Sequence, residues 1–153
     1  MGLNVNKWAR DRVSAVLGHL RGREVLELRD ISSSAQALAT AEWMAHRAAK
    51  HESGELGVWL TVAAPPLAAL LFAASRCGND RGMPWVRSVV NELRDPYNIA
   101  GWSGATMATA KLGGGLHESL TRLTRMDGRQ RASVGHAIWT ALGAEHGEVL
   151  RCG

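Results

Sequence analysis

The stretch VWLTVAAPPLAALLFAA, from Val58 to Ala74, is the most hydrophobic part of this 153-residue chain. Its length approaches that of a transmembrane helix. Pro65 and Pro66 interrupt it at the centre, where they remove backbone donors and disfavour helical geometry at Pro65. The pattern predicts a break at the prolines, with a new helix running from Pro66 to Arg76. We therefore expect a buried central hairpin or kinked helix and no membrane span.

The composition around this stretch favours helices over sheets. Alanine and leucine are abundant, whereas phenylalanine and tyrosine occur once each, as Phe72 and Tyr97. Alanine and leucine are strong helix formers, and β-branched aliphatic residues, which favour strands, are scarce. A chain of this length most often forms one domain with a buried core. The sequence predicts an all-α fold, a compact bundle of about six or seven helices without significant sheet.

Capping residues and apolar periodicity predict where the other helices lie. Ser33 with Gln36, and Asp127 with Gln130, have the spacing of a capping box, which marks a helix start. The predicted helical segments outside the hydrophobic stretch are 6–20, 33–50, 84–94, 99–112, 117–126 and 127–142. We divide the chain into an N-terminal helix and connector at 1–31, a main domain at 32–142 and a C-terminal tail at 143–153.

The segment SGATMATAKLGGG, residues 103–115, combines a lysine with glycines in the manner of phosphate-binding loops. Lys111, however, lies between Ala110 and Leu112, and the three glycines follow it instead of preceding it. A P-loop requires a glycine before the lysine and a hydroxyl residue after it. The nearby GWSGA lacks the last glycine of a nucleophile elbow. These glycines are therefore expected to separate helices.

No motif for catalysis or metal binding is visible in the sequence. The six histidines include no HExxH pair, and the two cysteines are far apart. We therefore predict no catalytic residue, no metal site and no cofactor. An enzyme whose histidines and carboxylates meet only in three dimensions remains the less favoured alternative. The tryptophans adjoin apolar stripes and are expected in the core, except Trp8 and Trp102, which are expected to be exposed.

The strongest functional signal is a cluster of basic residues in a chain of net charge +4. Residues 111–131 contain five basic side chains and only two acidic ones, Glu118 and Asp127. Such a cluster can follow a nucleic-acid backbone. A solvated surface with ordinary arginines has the same pattern and is the favoured interpretation, because the sequence shows no interleaved exposed aromatic residues and no recognition motif. The candidate residues for binding nucleic acid or a partner are Lys111, Arg122, Arg125, Arg129 and Arg131.

Three segments carry a resemblance to a known family. They are SSAQALATAEWMAHRAA, GVWLTVAAPPLAALLFAASRCG and MPWVRSVVNELRDP, and DGRQRASVGHAIWTAL continues the similarity. Residues 32–142 resemble the all-α domain of type IV coupling proteins, the hexameric DNA-pumping ATPases of bacterial conjugation and type IV secretion, in their actinobacterial form. The tryptophan-headed pattern of that domain is matched by Trp59, Ala63, Leu67, Leu70, Leu71, Ala73 and Ala74.

The resemblance implies a non-enzymatic recognition module. In that family the domain covers the cytosolic mouth of the hexamer and receives relaxase, other DNA-processing proteins and sometimes single- or double-stranded DNA. The Walker motifs of the ATPase core are missing here, so the chain is expected to be an excised domain, with that core as a partner, or a free-standing relative. Residues 1–31 match no part of the family.

A second class of protein also fits the basic cluster. A stand-alone helical nucleic-acid-binding subunit, such as the small subunit of CRISPR effector complexes, lines a nucleic-acid backbone with basic side chains. It would bind without sequence preference and with strong salt dependence. Either protein would be cytoplasmic, and the N-terminus MGLNVNKWARDRV, which lacks a signal-peptide core, agrees with that location.

Overall fold

The computed structural model describes residues 28–52, 54–112 and 115–143. These residues contain no strand, which confirms the predicted all-α class. A 3₁₀ turn at Leu28–Asp30 precedes the six α-helices of this part of the chain: α1 at Ser34–Ala49, α2 at Glu55–Ala74, α3 at Gly82–Leu93, α4 at Ile99–Ala108, α5 at Leu116–Arg125 and α6 at Gly128–Ala141.

Several predictions fall on residues outside these ranges. The predicted helix 6–20, the exposure of Trp8, the glycines at 113 and 114 and the tail after residue 143 all lie outside the described residues. Within the described ranges each helix predicted outside the hydrophobic stretch is present, with ends that differ from the prediction by a few residues.

α2 is one continuous helix that contains both Pro65 and Pro66, so the predicted break at the prolines is wrong. A proline removes the hydrogen bond to the carbonyl four residues earlier, here the carbonyls of Thr61 and Val62. Both of these residues are exposed, so water can replace the missing donors. The following turns are almost fully buried, and each buried leucine contributes about 1.5–3 kcal/mol, which offsets the cost of the prolines.

α2 is the central helix of the bundle. It packs most extensively on α1 and also contacts α3, α5 and α6. Three of the four buried residues of α1 are alanines, Ala37, Ala41 and Ala45, and the fourth is Met44. Small side chains of this kind let a helix approach its neighbours closely.

By length and composition, α2 also meets the criterion for a membrane-spanning helix. It has 20 residues, an apolar window with a mean hydropathy of 1.9, and 56% of that window is buried. The central helix of a helical bundle meets the same criterion, and the burial of Leu67, Leu70 and Leu71 shows that α2 fills the core.

Both predicted capping boxes begin helices. The backbone N–H of Gln36 donates to Ser33 Oγ at 3.2 Å, and that of Gln130 donates to Asp127 Oδ1 at 2.9 Å. Gly115 precedes α5 with a φ of +77°, a left-handed conformation that favours glycine. This residue agrees with the prediction that the glycine-rich segment separates helices.

Trp102 is buried, with 1% of its surface exposed, so the prediction that it is exposed is wrong. Its indole N–H donates to the carbonyl of Asp95 at 3.2 Å, which satisfies its only polar group inside the protein. Four other tryptophans are half-buried against the core, in agreement with the prediction for them: Trp43, Trp59, Trp85 and Trp139.

The chain that leaves α3 runs antiparallel along the start of α6, next to the predicted basic residues Arg129 and Arg131. Next to the α3 terminus, the guanidinium carbon of Arg94 lies 4.4 Å from the centre of the Trp139 ring. Three further contacts follow along α6 toward its first turn, between Leu93 and Gly135, between Pro96 and Arg131, and between Tyr97 and Gly128.

Candidate nucleic-acid interface

Arg122 and Arg125 lie exposed on the outer face of α5. The opposite face of this helix is buried through Leu116, Leu120 and Leu123. This division follows from the sequence, because the leucines recur at spacings of four and three residues. The two arginines are three residues apart and therefore share one face of the helix.

Arg122 forms an ion pair with Glu118 that leaves it available to a ligand. Its Nη2 lies 3.8 Å from Glu118 Oε2, and the two side chains are 75% and 73% exposed. Exposed pairs of this kind contribute little, because solvent screens them and two long side chains must be ordered. A phosphate can therefore compete for this guanidinium.

Arg129 lies on the first turn of α6 and is also exposed. Asp127, which caps that helix, is the acidic side chain nearest to it in sequence. Only Met126 and Asp127 connect α5 to α6. Because this connection is short, Arg125 and Arg129 lie on the same corner of the bundle.

Arg131 differs from its neighbours because its guanidinium is already bound by the protein. Its Nε donates to the carbonyl of Pro96 at 3.2 Å. One terminal nitrogen donates to the carbonyls of Thr124 and Met126. The side chain is half-buried and joins the end of α5 to the loop before α4. Its geometry assigns it a structural role at this corner.

Lys111 is exposed but lies apart from the arginines. It follows α4 in a turn that leads to the start of α5, whereas Arg122 and Arg125 lie near the end of α5. A ten-residue helix is about 15 Å long. The five predicted residues therefore divide into one corner with three exposed arginines, one structural arginine and one distant lysine.

The structure adds an exposed aromatic residue, Tyr97, that the sequence analysis did not connect with this cluster. Its side chain is 80% exposed, and it lies in the loop between α3 and α4. The ring packs beside Gly128, where an added Cβ would lie 3.4 Å from Tyr97 Cε1. The only sequence signal at Tyr97 was the turn sequence DPYN. A turn sequence does not reveal a contact with Gly128, which lies 31 positions later in the chain.

α4 carries a second exposed surface of different character. Ile99 and Met107 are 58% and 76% exposed on it. The other exposed residues of the helix are small and uncharged: Ala100, Ser103, Gly104 and Ala108. Apolar residues at this exposure on an uncharged helix face are a feature of protein-binding surfaces.

A cavity of about 400 Å³ lies between the C-terminal ends of α1 and α6. Arg47 stands over the ring of Trp43 at 5.6 Å from its centre, and His51 and Glu52 line the rim. The remaining wall is formed by Met44, Ala48 and residues 140–143. The cavity lies at the far end of α6 from the arginine corner.

The described residues hold no cluster of three or more histidine, cysteine, aspartate or glutamate side chains that could bind a metal. The half-buried His117 lies between two threonine hydroxyls, 3.3 Å from Thr109 Oγ1 and 3.5 Å from Thr121 Oγ1. Hydroxyl neighbours of this kind fix the ring within the fold.

No family model, curated protein or solved structure matches this chain.

Proposed function

We propose that this chain is a non-enzymatic helical recognition domain that binds DNA through the corner between α5 and α6. The observation that supports it is the grouping of Arg122, Arg125 and Arg129, all exposed, at this corner. The resemblance of residues 32–142 to the all-α domain of type IV coupling proteins suggests the setting, in which such a domain receives DNA and DNA-processing proteins for transfer.

The chemistry of the corner suits a phosphate backbone. Arginine offers a planar set of donors that matches two phosphate oxygens, and it retains its charge at all physiological pH values. The two acidic neighbours, Glu118 and Asp127, make only a long exposed ion pair and a helix cap. Binding of this kind releases counterions and weakens steeply as salt is added.

Fluorescence anisotropy tests this function. The protein is titrated into a labelled single strand of ~20 nucleotides, which exceeds the site size of a small domain, at salt concentrations from low to physiological. We expect affinity to fall with salt. The double variant Arg125→Ala/Arg129→Ala should reduce the slope of log K against log salt by roughly 1.4, or about 0.7 per lost phosphate contact.

A matched control is available in the loop between α2 and α3. Arg76 and Arg81 are exposed there, so Arg76→Ala/Arg81→Ala removes the same charge from another region. If both double variants lower the affinity equally, binding reflects net charge alone and the proposed site is wrong. If the unmodified protein binds no DNA at low salt, the proposed function is wrong.

A second candidate function is recognition of a protein, which the exposed uncharged face of α4 favours. A relaxase, another DNA-processing protein or the ATPase core of a coupling protein would be the partner. Met107→Glu would place a charge on this face without touching the arginines. Loss of relaxase capture by Met107→Glu, with retention in Arg125→Ala/Arg129→Ala, would support this function over DNA binding.

A further inference from the structure

The backbone of Tyr97 lies in a hydrogen-bonded turn, and its side chain is 80% exposed. Its backbone N–H donates to Asp95 Oδ1 at 2.9 Å, and its carbonyl accepts from the N–H of Ile99 at 2.9 Å. Gly128 supports the ring, since an added Cβ there would meet three of its atoms at 3.4–3.7 Å. The ring therefore lies next to Gly128 while most of its surface is open to a ligand.

Arg131 brings this ring to the arginine corner. It binds the carbonyl of Pro96, which directly precedes Tyr97, and it also binds the carbonyls of Thr124 and Met126, which flank Arg125. Gly128, which lies next to the ring, directly precedes Arg129. The backbone of Tyr97 therefore lies at the same corner of the bundle as the backbones of Arg125 and Arg129.

We propose that Tyr97 stacks on an unpaired base while Arg125 and Arg129 bind the neighbouring phosphates, so that the ligand is single-stranded DNA. This inference rests on the proposed function and specifies its substrate. An exposed aromatic ring beside basic side chains is the arrangement by which proteins bind single strands without sequence preference. In a duplex the bases are stacked on each other and their faces are closed to Tyr97.

Two acidic groups near the ring lower the positive potential of this corner, and backbone donors bind both of them. Asp95 and Asp127 both accept hydrogen bonds from backbone N–H groups, of Tyr97 and Gln130 respectively. Their carboxylates are thus directed toward the turns that they cap. The Tyr97 hydroxyl makes no hydrogen bond within the described part of the chain and lies near Gly128, where an added Cβ would be 3.7 Å from its oxygen.

The chain contains one tyrosine, so ring labelling gives a single reporter. The experiment uses full-length protein with ¹³C-labelled tyrosine and titrates it with a 20-mer of thymidine nucleotides, or with a duplex of the same length (~20 nucleotides). We expect the ring resonances of Tyr97 to move upfield with the single strand and to saturate with the anisotropy curve. The duplex should leave them in place.

Variants separate stacking from charge. Tyr97→Ala should weaken binding of the single strand roughly tenfold, within the range for loss of one stacked base, and leave the salt slope unchanged. Tyr97→Phe should retain the affinity because it retains the ring. Val58→Ala, which removes another exposed apolar side chain, on α2, should bind as the unmodified protein does. Urea unfolding of each variant shows whether the fold is preserved.

The possible failures are distinguishable. If no oligonucleotide binds at low salt, the proposed function and this inference are both overturned. If the single strand binds and Arg125→Ala/Arg129→Ala weakens it, while Tyr97→Ala binds normally and the ring resonances stay in place, only stacking is overturned. Equal binding of duplex and single strand by the unmodified protein also overturns it.

Discussion

Arg131 donates from Nε to the carbonyl oxygen of Pro96 at 3.2 Å and so links the first turns of α6 to a loop 35 residues earlier. The same guanidinium reaches the carbonyls at the end of α5. These carbonyls have no partner within their own helix, because the last four of any helix lack one. A single side chain thus joins three segments of the chain at the proposed binding corner.

Arg131→Ala should therefore destabilise the fold. It leaves carbonyls of a part-buried corner without their charged donor, and hydrogen bonds to charged groups contribute about 1.5–3 kcal/mol. Arg131→Lys should recover only part of this loss, since an ammonium group cannot span the same acceptors. Urea unfolding measures the effect, with Arg129→Ala as the control, because Arg129 is exposed on the same turn. Equal stabilities of the two alanine variants would contradict the structural role of Arg131.

Gly135 is a position where alanine should be harmful in spite of its helix propensity. A Cβ there would lie 2.5 Å from the carbonyl oxygen of Leu93, a backbone atom that cannot rotate away. We expect Gly135→Ala to cost about 1–3 kcal/mol, the range for overpacked sites.

Gly104 provides the matched control for that substitution. It lies within α4, and an added Cβ would meet no atom within 4 Å. Gly104→Ala should raise the free energy of unfolding by about 0.5–1 kcal/mol, since alanine lowers the entropy of the unfolded chain. Thermal and urea unfolding compare the two variants. Stabilisation by both would show that α3 and α6 are not in the close contact described.

The sequence predicted the helices well because their signals are local. Ser33 and Asp127 mark helix starts through side chains that bind the backbone three residues later, and such contacts depend only on nearby sequence. The prediction failed at Pro65 and Pro66, where tertiary burial outweighs a local preference. It failed again at Trp102, whose burial depends on a neighbouring helix.

The candidate site was predictable only in part, for the same reason. Arg122 and Arg125 share a face by helical spacing, which the sequence reveals directly. The contacts of Arg131 with Pro96 and of Tyr97 with Gly128 join residues more than 30 positions apart. No periodicity in the sequence encodes such contacts. The structural role of Arg131 and the position of Tyr97 could therefore be recognised only from the three-dimensional structure.

The alanine face of α1 should not accept a larger side chain. Ala41 is fully buried on α1, which packs on α2 and α6, so the larger side chain of Ala41→Leu has no space in this core. We expect a loss of about 1–3 kcal/mol in urea unfolding. Ala35→Leu adds the same atoms on the exposed side of α1 and should change stability by less than about 0.5 kcal/mol. Similar losses in both variants would mean that leucine disfavours α1 itself and not its packing.

Asp127 allows the charge of the binding corner to be changed separately from its fold. Asparagine caps helices about as well as aspartate, so Asp127→Asn should lose less than about 1 kcal/mol, mainly from the helix dipole. Asp127→Ala removes the cap as well and should lose about 1 kcal/mol more. Both variants remove one negative charge beside Arg125 and Arg129, and both should therefore bind single-stranded DNA a few-fold more tightly at low salt.

Fluorescence anisotropy measures the affinity of the two Asp127 variants, and urea unfolding measures their stability. If affinity follows stability and not charge across the two variants, the corner does not bind DNA through its electrostatic potential.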